Sequence, residues 1–210
     1  MQPIFLASYP RSGNTLLRTI LFQCFDLKSG SIYRNDLGGN IELEKYVGHI
    51  EMDDDGSISY PEGGLPILKT HSYHKGNNLT IYVVRDGRAA TASLWNFTYP
   101  KVPMIDIIEG NNRFGKWCEH LNFWKPQLRP NTLFLRYEDI LNDLDSSLTK
   151  ISDFLGREII SNDLPSREKI SDDDGKWVRK KTDWREVLTE KDLERFNELN
   201  IHHLNQFDYK

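Results

Sequence analysis

Apolar residues fall into two rhythms along this chain. Ile4 to Ser8 is a short, nearly unbroken apolar run that stops at Tyr9-Pro10, and Leu79 to Arg85 (LTIYVVR) is rich in β-branched and aromatic residues. Both predict buried strands, as do Ile67 to Thr70 and Thr132 to Tyr137. Elsewhere the spacing changes to three and four. Leu16, Leu17, Ile20, Leu21, Cys24 and Phe25 make one helical stripe over Asn14 to Phe25, and Arg88 to about Phe97 follows the second long strand as a helix. Phe114 to Lys125, with Trp117, Leu121 and Trp124 on one side, predicts another helix, closed by Pro126 and Pro130. The run from Ile140 to Leu155 reads as one long helix stopped by Gly156, and Glu190 to Leu204 as a terminal one. Asp26 to Pro66 and Ser161 to Thr182 carry no periodicity and read as irregular. Strands alternating with helices predict an α/β fold, a mainly parallel central sheet with helices on both faces. At 210 residues without an internal repeat or linker, residues 1–210 read as a single domain.

Composition narrows the function classes. The 38% hydrophobic and 11% aromatic content suits an ordinary globular protein, and the net charge of −4 argues against a nucleic-acid surface. Only Cys24 and Cys118 are present, far apart, which suggests neither a disulfide framework nor a metal site. No stretch reads as a signal peptide or membrane span, so the expectation is a cytoplasmic protein without membrane contact. A domain cut from a longer, membrane-anchored chain carries the same pattern.

The chemistry begins at YPRSGNTLLR, Tyr9 to Arg18, a loop between the first strand and the first helix. This strand-loop-helix is P-loop-like: backbone N–H groups and the helix dipole converge there on an anion. Gly13 permits close approach of a ligand, Ser12, Asn14 and Thr15 carry hydrogen-bond donors, and Arg11 supplies a planar positive fork. The loop is too short for GxxxxGK[ST] and lacks that motif's lysine. A Ser-Gly turn before a helix also serves as a plain cap.

This loop resembles the 5′-phosphosulfate-binding loop of the sulfotransferases that use 3′-phosphoadenosine 5′-phosphosulfate (PAPS). VVRDGRAATAS resembles the same family's 3′-phosphate-binding segment, with Arg85 ending a strand and Ser93 eight residues on. The resemblance implies that Arg85 pairs with the terminal phosphate while Ser93 adds a neutral donor. ILKTH resembles the family's strand-end KTH segment, which implies His71 as general base and Lys69, with Arg11, stabilising charge on the sulfuryl and departing phosphate oxygens. FGKWCEHLNFW resembles the GsWxxHvxgW helix, and LFLRYEDIL implies Tyr137 near the nucleotide base. Trp117, His120 and Trp124 are expected to pack rather than react.

Three departures from the family pattern matter. Leu16 stands where common members place an adenine-stacking tryptophan. WVRKKTDW keeps Asp183-Trp184 of the family's RKGxxGDW segment but loses both glycines, so the resemblance carries phosphate contact over to Arg179 and Lys180 alone; a solvated basic face balancing Asp172 to Asp174 is the alternative. A family dimer motif, KxxxTVxxxE, falls on Arg185, Thr189, Glu190 and Glu194, where a charge replaces its valine, so oligomeric state stays open. The expected donor is PAPS without a metal, and the expected acceptor a small molecule or oligosaccharide bearing a hydroxyl or amine. A P-loop-type small-molecule kinase and a non-catalytic nucleotide-binding module are the competing readings. Binding of adenosine 3′,5′-bisphosphate (PAP) in preference to ATP separates the first from the kinase, and turnover separates both enzymes from the module.

Overall fold

The computed structural model describes residues 2–98, 102–175, 177–178 and 183–209. Strands β1 (Ile4–Ser8), β2 (Gly30–Ser31), β3 (Ile67–Thr70), β4 (Thr80–Val84) and β5 (Thr132–Arg136) form one parallel sheet in the order β2-β3-β1-β4-β5. Every residue of β1 and β4 is buried, which is why these runs read as continuous apolar stretches rather than alternating ones. Their side chains still divide by parity. Ile4, Leu6, Ile81 and Val83 pack on α1 (Asn14–Phe25), α6 (Tyr137–Asn142) and α7 (Leu144–Leu155), while Phe5, Ala7, Tyr82 and Val84 pack on the opposite face. That second face is covered by α3 (Gly87–Thr98), α4 (Met104–Ile108), α5 (Trp117–Trp124) and α9 (Glu190–Gln206).

The order of the strands positions the site. β1 and β4 are neighbours, yet the helix after β1 lies on one face and the helix after β4 on the other. Their carboxyl ends therefore open a crevice at a topological switch point, the usual ligand position in such sheets.

The structure differs from the sequence reading at four places. Asp26 to Pro66 holds β2 and a short helix, α2 (Ile41–Val47), and Ser161 to Thr182 holds α8 (Arg167–Asp174). Each offers too few apolar residues to signal itself; they pack on each other, with Leu43 and Val47 against Ile170 and Asn40 donating to Asp174 at 2.6 Å. The predicted helix from Ile140 to Leu155 is two, because Asp143 leaves helical geometry and its carboxylate accepts from the Ser146 N–H, restarting the chain as α7. α5 starts at Trp117 rather than Phe114, since Gly115 sits at φ 71°.

Candidate active site

β1 ends at Ser8 and the chain turns through Tyr9 to Gly13 into α1. Arg11 and Gly13 both take positive φ, 66° and 112°. At Gly13 a side chain is barred twice, by that conformation and because a Cβ would stand 2.7 Å from Tyr137 Cδ2. Gly13 is the N-cap and no side chain caps the helix, so the first N–H groups of α1 are left for an anion. They border a cavity of about 660 Å³ lined by Arg11, Gly13, Asn14, Thr15 and Leu16, and also by Lys69, His71, Arg85, Ser93 and Tyr137. Two of the loop's expected side-chain donors turn inward. Asn14 Nδ2 donates to the Leu6 carbonyl at 3.0 Å and to Ser8 Oγ at 3.4 Å, tying the loop to β1, and Ser12 is fully buried without lining the cavity. The donors that still face the cavity there are the backbone N–H groups and Thr15.

β4 delivers Arg85 to the same cavity. The residue is only 8% exposed, and its side chain lies over the Tyr137 ring at 4.8 Å and donates to the Arg11 carbonyl at 3.0 Å, holding the strained loop residue in place. No carboxylate lies within ion-pair distance of it among the described residues; Asp86, beside it in sequence, is taken by Arg88 at 2.8 Å. Burial works against the Arg85 charge. Such a cation is matched to an anionic ligand. Ser93, on α3, accepts from Arg11 Nε at 3.3 Å, so the loop arginine bridges toward the second expected phosphate contact. Tyr137 packs against Gly13 and accepts from Arg167 at 2.9 Å, which makes it a spacer between the loop and α8.

β3 delivers Lys69 and His71. The His71 Nδ1 lies 2.9 Å from the Ser8 carbonyl, which can only accept; Nδ1 therefore carries the proton and Nε2 is left as the basic nitrogen. Its backbone is held as well, the N–H by the Tyr33 hydroxyl at 3.0 Å and the carbonyl by His120 Nε2 at 2.9 Å, with Tyr82 donating to His120 Nδ1 at 2.7 Å. Burial, then the nearby Lys69 ammonium, push the His71 pKa well below the ordinary 6.5, so the ring is neutral at physiological pH. Burial likewise brings His120 down to about 4. Lys69 Nζ pairs with Asp36 Oδ1 at 2.5 Å, and Arg18 holds the other oxygen of Asp36 at 3.2 Å while reaching Ser29 and His49.

A family model described as the sulfotransferase domain matches residues 1–208. The chain belongs to the sulfotransferase family. It is 29% identical to human sulfotransferase 2B1 over 172 residues, 74% of this chain and 47% of that protein, and 28% identical to zebrafish cytosolic sulfotransferase 1 over 197 residues, 81% and 63%. The chain thus spans about half to three-fifths of the length of these relatives. Among solved structures, mouse sulfotransferase SULT7A1 complexed with PAP superimposes with a TM-score of 0.67 at 22% identity, covering 97% of this chain and 84% of that one. A retinol dehydratase in complex with retinol and PAP gives 0.66 at 21%, covering 96% and 81%. The fold is shared with both of these structures.

The cavity is also lined by residues that the sequence did not single out. Asp36 and Tyr33 come from the stretch read as irregular, Arg167 from α8 and Arg113 from the approach to α5. None sits in a motif, and each reaches the cavity only through tertiary packing. Trp117 and Trp124 lie in the core as expected. Arg179 and Lys180 lie outside the described residues.

Proposed function

We propose that this chain transfers a sulfuryl group from PAPS to the hydroxyl or amine of a small acceptor, with His71 as general base. The observation that carries this reading is that Arg85, the uncapped start of α1 and a neutral histidine with a pinned Nδ1 border one cavity. The cavity volume suits a nucleotide. Its two anion-seeking groups, the α1 N-terminus and Arg85, suit a donor carrying two phosphates, and the ring of Phe97, stacked on Trp177 at 5.1 Å and under the Arg11 guanidinium, adds aromatic surface to the cavity wall. PAPS supplies the activated sulfuryl group. His71 Nε2 takes the acceptor proton as the new O–S or N–S bond forms, and the electron pair of the breaking S–O bond leaves with the 5′-phosphate, giving PAP. Arg11, Lys69 and the N–H groups of α1 stabilise the charge that develops on the sulfuryl and phosphate oxygens.

The two cysteines are both buried and unpaired, which suits a cytoplasmic location. Isotope transfer from labelled PAPS to a panel of phenols, alkyl alcohols, amines and oligosaccharides tests the reaction. Calorimetry with PAP, AMP and ATP tests the donor: PAP binds tightly and AMP far more weakly. Equal affinity for PAP and AMP would remove the 3′-phosphate site and with it the PAPS reading.

A further inference from the structure

Six cations border the cavity, Arg11, Arg34, Lys69, Arg85, Arg113 and Arg167, against one carboxylate, Asp36, among the described residues. Most have an assignment within the protein or toward the donor. Lys69 pairs with Asp36, Arg34 donates to the carbonyls of Asp53 and Asp54, Arg167 donates to Tyr137, and Arg11 and Arg85 belong to the donor end. Arg113 is different. Its guanidinium lies 4.6 Å from the Phe114 ring centre and 5.1 Å from that of Tyr33, with no hydrogen-bond or carboxylate partner among the described residues. These same two rings flank His71, Phe114 edge-on at 5.6 Å and Tyr33 roughly parallel at 6.1 Å.

The general base and an unpaired guanidinium thus share one aromatic cleft. The steps of 4.6 and 5.6 Å through Phe114 bound the reach from guanidinium to imidazole, and a ring carrying a hydroxyl at one end and a short acidic arm at the other spans it. The geometry points to an acceptor that carries an anionic oxyacid group, carboxylate or sulfonate, remote from its reacting hydroxyl and held by Arg113. The inference rests on the sulfotransferase reading and adds the acceptor class. Electrostatics agree, since Arg113 also contributes to holding the His71 pKa down. An anion seated on Arg113 offsets that field and makes Nε2 a stronger base when the acceptor is bound.

The test uses the whole chain loaded with PAP and a matched series: p-hydroxyphenylacetate, p-hydroxybenzenesulfonate, the neutral p-hydroxyphenylacetamide and the cationic tyramine. Calorimetric affinity, and kcat/KM with PAPS, fall in the order anion, amide, amine, with about two- to fivefold between anion and amide, the range for an ion pair at an exposed guanidinium. The acetate and sulfonate arms distinguish the two oxyacids. Arg113→Gln erases the order and Arg113→Glu reverses it, with PAP binding retained as the check on folding. If the amide binds as well as both anions, or the order survives Arg113→Gln, the inference is overturned. Loss of selectivity for PAP over AMP in the wild type counts against the donor reading instead, so the two failures are distinguishable.

Discussion

At the scale of single residues, the site divides into groups that meet the reactants and groups that fix them. His71 is held at Nδ1, backbone N–H and carbonyl, so His71→Ala removes the base without unseating the donor. We expect kcat to fall about 10²–10⁴-fold with PAP affinity nearly preserved, and a smaller loss with an acidic phenol, whose proton needs less help. Near-normal turnover of an unactivated alcohol would sink the assignment. Because the His71 pKa is depressed, the base stays neutral on lowering pH past 6.5, and kcat/KM is flat from pH 7 to the ordinary imidazole value before it falls. Lys69 is the second cause of that depression, so Lys69→Met should move the limb to higher pH as well as slow the reaction; a limb that stays in place would show that the ammonium does not act on His71. Arg85→Ala should weaken PAP by about 2–4 kcal/mol and leave AMP unchanged, since a buried charge-assisted contact is lost at the 3′-phosphate alone. Parallel loss of both ligands would point to damage to the loop that Arg85 holds through the Arg11 carbonyl.

At the scale of elements, the junctions between strands and helices line the cavity. α1 has Gly13 as its N-cap with no side-chain cap, and its first turn borders the cavity, whereas α9, away from the cavity lining, is capped by Thr189. The contrast can be measured. Thr189→Ala should cost about 1 kcal/mol in urea unfolding with an unchanged m value and no effect on PAP binding. Gly13→Ala should do the reverse in part, losing ligand affinity as well as stability, because its Cβ would displace Tyr137 from the loop. The periodic elements were legible from spacing alone: β1, α1 and β3 stand where apolar rhythm put them. Short α2 and α8 were not legible, since a helix of seven or eight residues with one or two apolar contacts has no periodic signal and forms only against a partner.

For the whole molecule, neutral buried histidines set the response to acid. The pKa values of His49, His71, His74, His120 and His203 are all lowered, chiefly by burial. A group whose folded pKa lies below its unfolded value takes up protons on unfolding, so its stabilising effect is present above about pH 6.5 and is lost as pH falls below it. The slope approaches about 1.4 kcal/mol per pH unit for each histidine that stays neutral in the folded state, and His71 and His120 should dominate. Thermal melts across pH 7 to 5 test this. A melting temperature independent of pH over that span would mean that these rings protonate without unfolding.

The sequence alone determined the parallel sheet, because strands buried on both faces must be continuous apolar runs. It also pointed to the loop before α1, Arg85 and His71, which line one cavity, because these lie at strand ends where a motif is contiguous along the chain. Local order was enough for those. Only the tertiary structure decided that Asp36 pairs with Lys69, that Asn14 and Ser12 turn inward, that Arg167 reaches Tyr137 and that Arg113 shares an aromatic cleft with His71. Those partners come from segments far apart in sequence, joined only when the helices close over the carboxyl edge of the sheet. A contact of that kind has no period and no spacing, so it is set by packing and cannot be read along the chain.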